Sequence, residues 1–311
     1  MTARVPPRRE RGVALIAAVL VVALATVLVA AMLDRGEAAR ARTRNILRAE
    51  QGWQLMRGLE GWAALALRRD AEHNGVDAND DVWAQPLPPL DLPEARIQGR
   101  LRELGGCFNL NSMQQGGVEN AAAVARFERL LRALKLDPRI AAQARDWIDA
   151  DVTPTTNGAE DMSLMLRVPP YRAANRAYAH VSELRLLPAV DAEVYAVLAP
   201  QVCALPANTP MNLNTATVQG WMSLMEEIGP SQARQLARDG RARYTEAGML
   251  NTEMQRLGLP PLVLGNELGF SSRYFLLEAE IVSDGIPYLY TSLLQRSPDG
   301  ARVLSRRRGR G

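Results

Sequence analysis

Arg8-Arg9-Glu10-Arg11-Gly12-Val13-Ala14-Leu15-Ile16-Ala17-Ala18-Val19 opens a run of 21 uncharged residues, Val13 to Leu33, that ends only at Asp34. Its length matches one helical crossing of a bilayer, about 20 residues at about 1.5 Å rise each. Arg4, Arg8, Arg9 and Arg11 stand ahead of it, and arginine-rich flanks stay on the cytoplasmic side of a membrane. The sequence therefore predicts a single-pass protein with a cytoplasmic N-terminus and a large exported domain.

Three readings share this N-terminus. A cleaved secretory signal has a shorter apolar region followed by small residues, and here Ala30-Ala31 is the only late small pair. An uncleaved signal anchor fits the same run. So does a leader cut on the cytoplasmic side after Gly12, which leaves Val13 as the new terminus. Beyond the run, no proline interrupts Glu37 to Arg69, where Ile46, Leu47, Trp53, Leu55, Met56, Leu59, Trp62, Leu65 and Leu67 recur at three- and four-residue intervals. That spacing gives one apolar helix face. It predicts a long helix with one half in lipid and the other packed on a soluble domain. The alternative is an anchor and a separate helix, broken near Gly36.

The 311 residues leave room for two soluble modules beyond the anchor. The leader contributes +3 and the tail from Arg302 +5 to a formal net charge of +3, leaving −5 for residues 13–301. A mildly acidic body does not point to a general nucleic-acid surface, and the arginine tail reads as a solvated, frayed end. Cys107 and Cys203 are the only cysteines. An oxidising exported compartment would join them; a cytosolic one would leave two buried thiols.

Asn74 to Pro93 holds four prolines among Asp and Asn and reads as a loop. Ala95 to Phe108 has a strand pattern with Ile97, Gly99 and Leu101 on one face. Asn120 to Leu268 is helical, with segments at Ala121–Leu136, Pro138–Ile148, Val181–Leu187 and Thr217–Ile228. After Gly269 strands return at Tyr274–Val282, Ile286–Arg296 and Val303-Leu304, separated by Asp284-Gly285 and Asp299-Gly300, which are hairpin signals. The order predicts an α+β protein: a long N-terminal helix packed on an antiparallel sheet, split by a large all-α insert.

Within that insert, Asp149, Asp151, Glu160 and Asp161 place four carboxylates in 13 residues with no Lys or Arg among them. An acidic loop of this kind is either solvated or closed around a hard cation, because converging carboxylates repel unless protonated or neutralised. Pro154 stands where an EF-hand needs glycine, and the absence of His or Cys nearby disfavours zinc. Asp146 reads as a helix-face group or a support for such a site. Met211 to Arg238 has the pattern of a helix-hairpin-helix unit around Gly229-Pro230. Glu226 and Glu227 crowd that hairpin and Pro230 removes an amide that phosphate would use, so a packing unit is expected in place of a DNA contact. His73, read as lying in a loop, and His180 have no nucleophile context. Asp149 and Asp151 lack a substrate platform for glycoside chemistry. No enzyme is expected.

Gly12 before an apolar helix, Gly106-Cys107-Phe108-Asn109-Leu110-Asn111-Ser112, and Asp146-Trp147-Ile148-Asp149-Ala150-Asp151 occur in that order. Gly158-Ala159-Glu160-Asp161, Pro169-Pro170-Tyr171-Arg172, Ser182-Glu183-Leu184 and Met211-Asn212-Leu213-Asn214-Thr215-Ala216 follow. Together, from about Gly12 to about Leu294, the chain resembles the type II secretion minor pseudopilin called general secretion pathway protein K. The resemblance implies a prepilin leader (1–12) cut by prepilin peptidase between Gly12 and Val13 and methylated there. It further implies a transmembrane helical half (13–33), a pilin-like domain (34–112 and 269–311) and a helical insert (113–268). It places the chain in the inner membrane with its bulk in the periplasm. There it would initiate or cap the pseudopilus tip for protein export, with minor pseudopilins of types I, J and H as partners and no nucleic acid. Calcium, held by Asp149, Asp151, Glu160 and Asp161, is the implied structural cofactor. Most pilins carry Glu at the fifth mature position. Ala17 stands there instead, which suits a subunit with no neighbour above it, since a carboxylate in lipid seeks a partner. The runner-up is a signal-anchored exported protein that binds DNA through the hairpin unit.

Overall fold

The structure, a computed structural model, describes residues 10–73, 75–93 and 95–309. Helix α1, Glu10–His73, is one element of 64 residues; Gly36 does not break it, and His73 is its last residue. Leader residues Arg4, Arg8 and Arg9 lie outside the described residues. The chain divides into two compact units, Met1–Leu55 and Met56–Gly311. In the first, the side chains from Val13 to Leu33 are exposed along the whole apolar run. Among the described residues this is the one helix long and apolar enough to cross a membrane.

In the second unit the last turns of α1 bury Met56, Leu59, Ala63 and Leu67, the three- and four-residue spacing of one helix face. They meet an antiparallel sheet of five strands: β1 (Leu87–Leu92), β2 (Ala95–Glu103), β3 (Tyr274–Ser283), β4 (Ile286–Ser297) and β5 (Gly300–Arg308), neighbours in that order. Ile97, Leu101, Leu277, Ile281, Tyr290 and Leu294 are buried at alternate positions, as a sheet with one covered face requires. A side chain at Gly99, on that face, would start 3.8 Å from Leu59 Cδ1. The β3–β4 turn holds Asp284 at φ 48° and Gly285 at φ 76°, the two left-handed residues of a tight hairpin. At Gly300, φ is 118° and a Cβ would stand 2.7 Å from the Ala64 carbonyl oxygen, so only glycine lets β5 pass the helix.

Two sequence expectations change here. Part of the proline-rich stretch is not a loop: β1 lies in it, with an irregular register between Leu87 and Leu90. Pro88 and Pro89 are tolerated because β1 is an edge strand. The arginine tail is not frayed within the described residues either. Arg306 Nε and Nη2 donate to the two Glu60 oxygens at 2.7 and 2.8 Å, and Ser292 Oγ donates to Glu60 at 2.6 Å. Burial pushes the Glu60 carboxyl up, but the Arg306 and Ser292 bonds outweigh it and hold it below its usual value. Gly309 N donates to Leu289 O at 2.8 Å, which carries the ordered chain past the short strand expected at Val303-Leu304.

The β2–β3 connection carries the helical insert, which has two cores where the sequence suggested one domain. The first buries Phe108, Leu110, Phe127, Leu131, Trp147 and Leu184. It is built from α2 (Ala121–Leu134), α3 (Arg139–Asp146), α4 (Asp161–Leu164), a 3₁₀ helix (Val181–Leu186) and α5 (Ala192–Leu198). The second buries Leu213, Trp221, Ile228, Leu236, Tyr244 and Met254, with α6 (Val218–Met222), α7 (Pro230–Ala237) and α8 (Ala247–Arg256). Phe108 and Leu110 belong to the first core, so the insert begins ahead of the boundary at 113. Each module opens and closes on a short parallel pair: Phe108–Asn109 beside Val202–Cys203, and Met211–Asn212 beside Leu268–Gly269.

Both openings carry Asn-Leu-Asn, and the second asparagine does the same work in each. Asn111 accepts from Tyr178 N (2.7 Å) and donates to Tyr178 O (3.0 Å). Asn214 accepts from Tyr244 N (2.6 Å) and donates to Tyr244 O (3.0 Å). A side-chain amide, with one acceptor and two donors, thus replaces a strand neighbour for a buried backbone segment.

The second module and the sheet are joined where α1 ends. Arg296 on β4 donates to Asp77 at 2.7 and 2.9 Å and to Asp70 at 3.0 Å. Arg243 of the second module donates to Asp80 and Asp81, each at 2.6 Å. Burial, then the charges of Asp81 and Asp77, push Asp70 up to about 6 from its ordinary 3.8, against the pull of Arg296.

Two outcomes are expected. Asn214→Ala leaves the buried Tyr244 amide and carbonyl without partners, and each such group costs about 1–3 kcal/mol; denaturant unfolding should show a loss of about 2–4 kcal/mol with an unchanged m-value. Asp70 binds its proton more tightly folded than unfolded, so its stabilising contribution is complete below about pH 4 and is lost as pH rises through about 6. In Asp70→Asn that loss disappears. The variant's unfolding midpoint should gain on the parent's between pH 4 and pH 7, and a constant difference across that range would refute the assignment.

Candidate cation site and membrane anchor

Gly12 and Val13, the expected processing positions, both fall within α1, and Val13 is 69% exposed.

The acidic loop follows α3, which ends with Asp146. Ile140, Gln143 and Asp146 recur at three-residue intervals and all three are buried, so the helix turns the Asp146 carboxylate inward. Thr155 answers it: its backbone N donates at 3.1 Å and its hydroxyl at 2.6 Å. Asp146 is therefore the inner support of the loop, and its place on the buried helix face was the signal that marked it. Gly158 closes against the same carboxylate, since a Cβ there would overlap Asp146 Oδ2. Asn157, at φ 65°, makes the turn that brings Gly158 in.

The four carboxylates expected to act together have unequal surroundings. Asp149 Oδ1 and both Glu160 oxygens are buried without a hydrogen-bond partner; Glu160 is 1% exposed. Burial, then the charges of Asp151 and Asp146, raise Asp149 to about 6. Burial, then the charges of Asp149 and Asp146, raise Glu160 to about 7. Arg145 lowers Asp149 in part but also pairs with Glu119 at 3.1 Å. Asp151 is exposed and accepts from Thr153 N at 2.8 Å, an Asx turn. Asp161 accepts from Ala173 N at 3.0 Å and faces Arg172 at 3.7 Å.

The arrangement offers a hard cation three orphaned oxygens on Asp149 and Glu160, with Asp151 and Asp161 at the flanks. An all-oxygen donor set is the kind that takes calcium. The four are not drawn as close as the Asp70, Asp77 and Asp81 carboxylates, the one trio among the described residues whose ligand atoms all lie within 4.8 Å of one another. That trio is answered by Arg296 and Arg243 and needs no ion.

Cys107 and Cys203 are joined, with Cα atoms 5.8 Å apart and a separation of 96 positions in sequence. The bond fastens the start of the first module to its end. In the hairpin unit, Trp221 and Ile228 are core residues. Arg234 donates to Pro230 O, Arg238 lies over the Tyr244 ring and Arg243 is held by two aspartates. Of the four arginines that follow the hairpin, Arg234, Arg238, Arg241 and Arg243, three thus have partners within the fold.

Comparison with known proteins agrees with this architecture. A family model described as "Type II secretion system (T2SS), protein K" matches residues 106–207, the first helical module with its disulfide. Type II secretion system protein K of Pseudomonas aeruginosa is 35% identical over 98% of this chain and 94% of its own length. The Klebsiella pneumoniae protein of the same name is 32% identical over 97% of each. Among solved structures, the crystal structure of the GspK–GspI–GspJ complex from enterotoxigenic Escherichia coli contains a chain similar to this one, with a TM-score of 0.69 and 26% identity. The match covers 87% of this chain and all of that one. The long apolar helix, the interrupted sheet and the acidic helical insert therefore belong together: the chain is a member of the type II secretion system protein K family, a minor pseudopilin.

Proposed function

We propose that this chain sits at the tip of the type II secretion pseudopilus and initiates or caps its assembly with minor pseudopilins of types I, J and H. The observation that carries the reading is the likeness, over 87% of this chain, to a chain of the GspK–GspI–GspJ complex. Prepilin peptidase cuts between Gly12 and Val13, and the Val13 amine is methylated. The apolar run then holds the chain in the inner membrane, N-terminus toward the cytoplasm under the positive-inside tendency and bulk in the periplasm. Ala17 leaves that segment without a carboxylate to neutralise. The two-module insert supplies bulk that ends addition of further subunits.

The role is structural and not catalytic. His73 Nδ1 is 2.7 Å from the Arg69 carbonyl oxygen, and His180 caps the 3₁₀ helix, so both histidines serve local structure. Calcium is held by Asp149, Asp151, Glu160 and Asp161. It supplies the positive charge that the orphaned oxygens of Asp149 and Glu160 lack, and so pins the loop from Asp149 to Asp161.

Coexpression with the three partner pseudopilins and prepilin peptidase tests the role. The chain should copurify with types I and J and begin at methylated Val13 by mass spectrometry. A chain that begins at Met1, or that leaves the partners behind, would overturn the proposal. Calcium added to chelated protein should raise the unfolding temperature. The rise should be larger at pH 8 than at pH 6, because binding must displace the proton that Glu160 holds up to about pH 7. Glu160→Gln should abolish most of the rise; an undiminished response would move the ion elsewhere.

A further inference from the structure

The face of the sheet turned away from α1 is not bare. Between it and the first helical module lies a cavity of about 610 Å³, within the size range of ligand-binding clefts. Its floor is two adjacent cross-strand rows. Arg102, Leu276, Leu293 and Ser305 are paired across β2, β3, β4 and β5. Arg100, Glu278, Thr291 and Arg307 are paired in the next row of the same face. Val181, Tyr195 and Pro200 of the first module form the opposite wall.

The charges of this cleft are unequally spent. Arg100 Nε holds Glu278 at 2.6 Å. The Glu103 carboxylate, at the inner end, takes the Gly105 and Gly106 amides and the Ser272 hydroxyl. His180, lowered by burial and then by the charge of Arg307, adds no positive charge at neutral pH. Arg102 and Arg307 are exposed and have no carboxylate partner among the described residues. The uncompensated charge is therefore two guanidiniums at opposite sides of the floor, with half-buried Leu276 and Leu293 between them.

We propose that this cleft binds an extended acidic segment of a second protein, in which two carboxylates flank an apolar residue. The spacing follows from the sheet. Arg102 on β2 and Arg307 on β5 are three strands apart, about 14 Å at about 4.8 Å per step. An extended peptide advances about 3.3 Å per residue and turns alternate side chains to one face. Carboxylates four residues apart therefore reach both guanidiniums, and the side chain midway between them faces the two leucines. Guanidinium forks suit carboxylates in geometry as well as charge. The assignment is independent of the calcium site and of the place of the chain in the pseudopilus.

Fluorescence polarisation with the full chain in detergent tests it, using labelled Ser-Asp-Thr-Leu-Thr-Asp-Ser and its counterpart with both Asp replaced by Asn. The acidic peptide should bind about tenfold more tightly at low salt, the effect of two partly exposed ion pairs, and lose that advantage as salt rises. Arg102→Glu combined with Arg307→Glu should remove the preference while leaving the unfolding temperature unchanged, since neither side chain supports the core. Equal binding of the two peptides, no binding of either at millimolar concentration, or a preference that survives in the double variant would each overturn the proposal.

Discussion

Asp77 holds the soluble unit together. It is wholly buried and four parts of the chain close on it. Its backbone N donates to Phe270 O, and its backbone carbonyl accepts from Asn212 Nδ2. Its carboxylate takes the Ser272 amide and two bonds from Arg296. The end of α1, the entry to the second module, the return to the sheet and β4 thus share one residue. A buried charge is tolerable only when paired and hydrogen-bonded, and removing one partner of such a pair costs far more than the pair contributes. The remaining geometry is arranged around keeping those partners in place.

That constraint explains how a five-stranded meander accepts a long interruption. Chain leaving β2 must return to β3 beside its point of departure, because the two strands pair along their whole length. Each module satisfies this by bringing its own ends together on a two-residue parallel pair. The buried asparagines then bond the backbone segments that no strand reaches, and the disulfide ties the first module's ends covalently. The modules need little from the sheet, so their helices could be shaped for other purposes: one carries the acidic loop, and one wall of the same module faces the cleft over the sheet.

Charge is treated differently at each of these places. Around Asp77 three crowded carboxylates are met by two arginines. In the loop after α3 the carboxylates of Asp149 and Glu160 keep orphaned oxygens and hold their protons unusually tightly, the electrostatic condition in which a cation is welcome. Across the outer sheet face the imbalance is reversed, with Arg102 and Arg307 unspent. A single mildly acidic body thus carries one local surplus of negative charge and one of positive charge.

The sequence by itself determined the elements whose information is local. Twenty-one uncharged residues without a proline favour a continuous helix, which satisfies every backbone group within the segment. The Asp284-Gly285 turn fixed one hairpin, because few other residue pairs adopt two left-handed conformations in a row. Asp299-Gly300 marked the second only to within a residue, since Pro298 and Asp299 make that turn and Gly300 already pairs with Ser297. The ordered set of motifs marked the family, and Cys107 and Cys203 were the only pair available to bridge. What tertiary structure decided was everything that depends on which distant groups become neighbours. Glu60 and Arg306 are 246 residues apart, so nothing local announced that the strand expected at Val303-Leu304 runs on to Arg308. Pro88 and Pro89 looked like loop because the tolerance for them comes from lying at a sheet edge. The repeated Asn-Leu-Asn was visible, but its meaning required Tyr178 and Tyr244. The acidic loop was legible as a count of carboxylates; which of them lie buried and unpaired was set by packing, since burial and partnership, not spacing, decide where a charge is left unanswered.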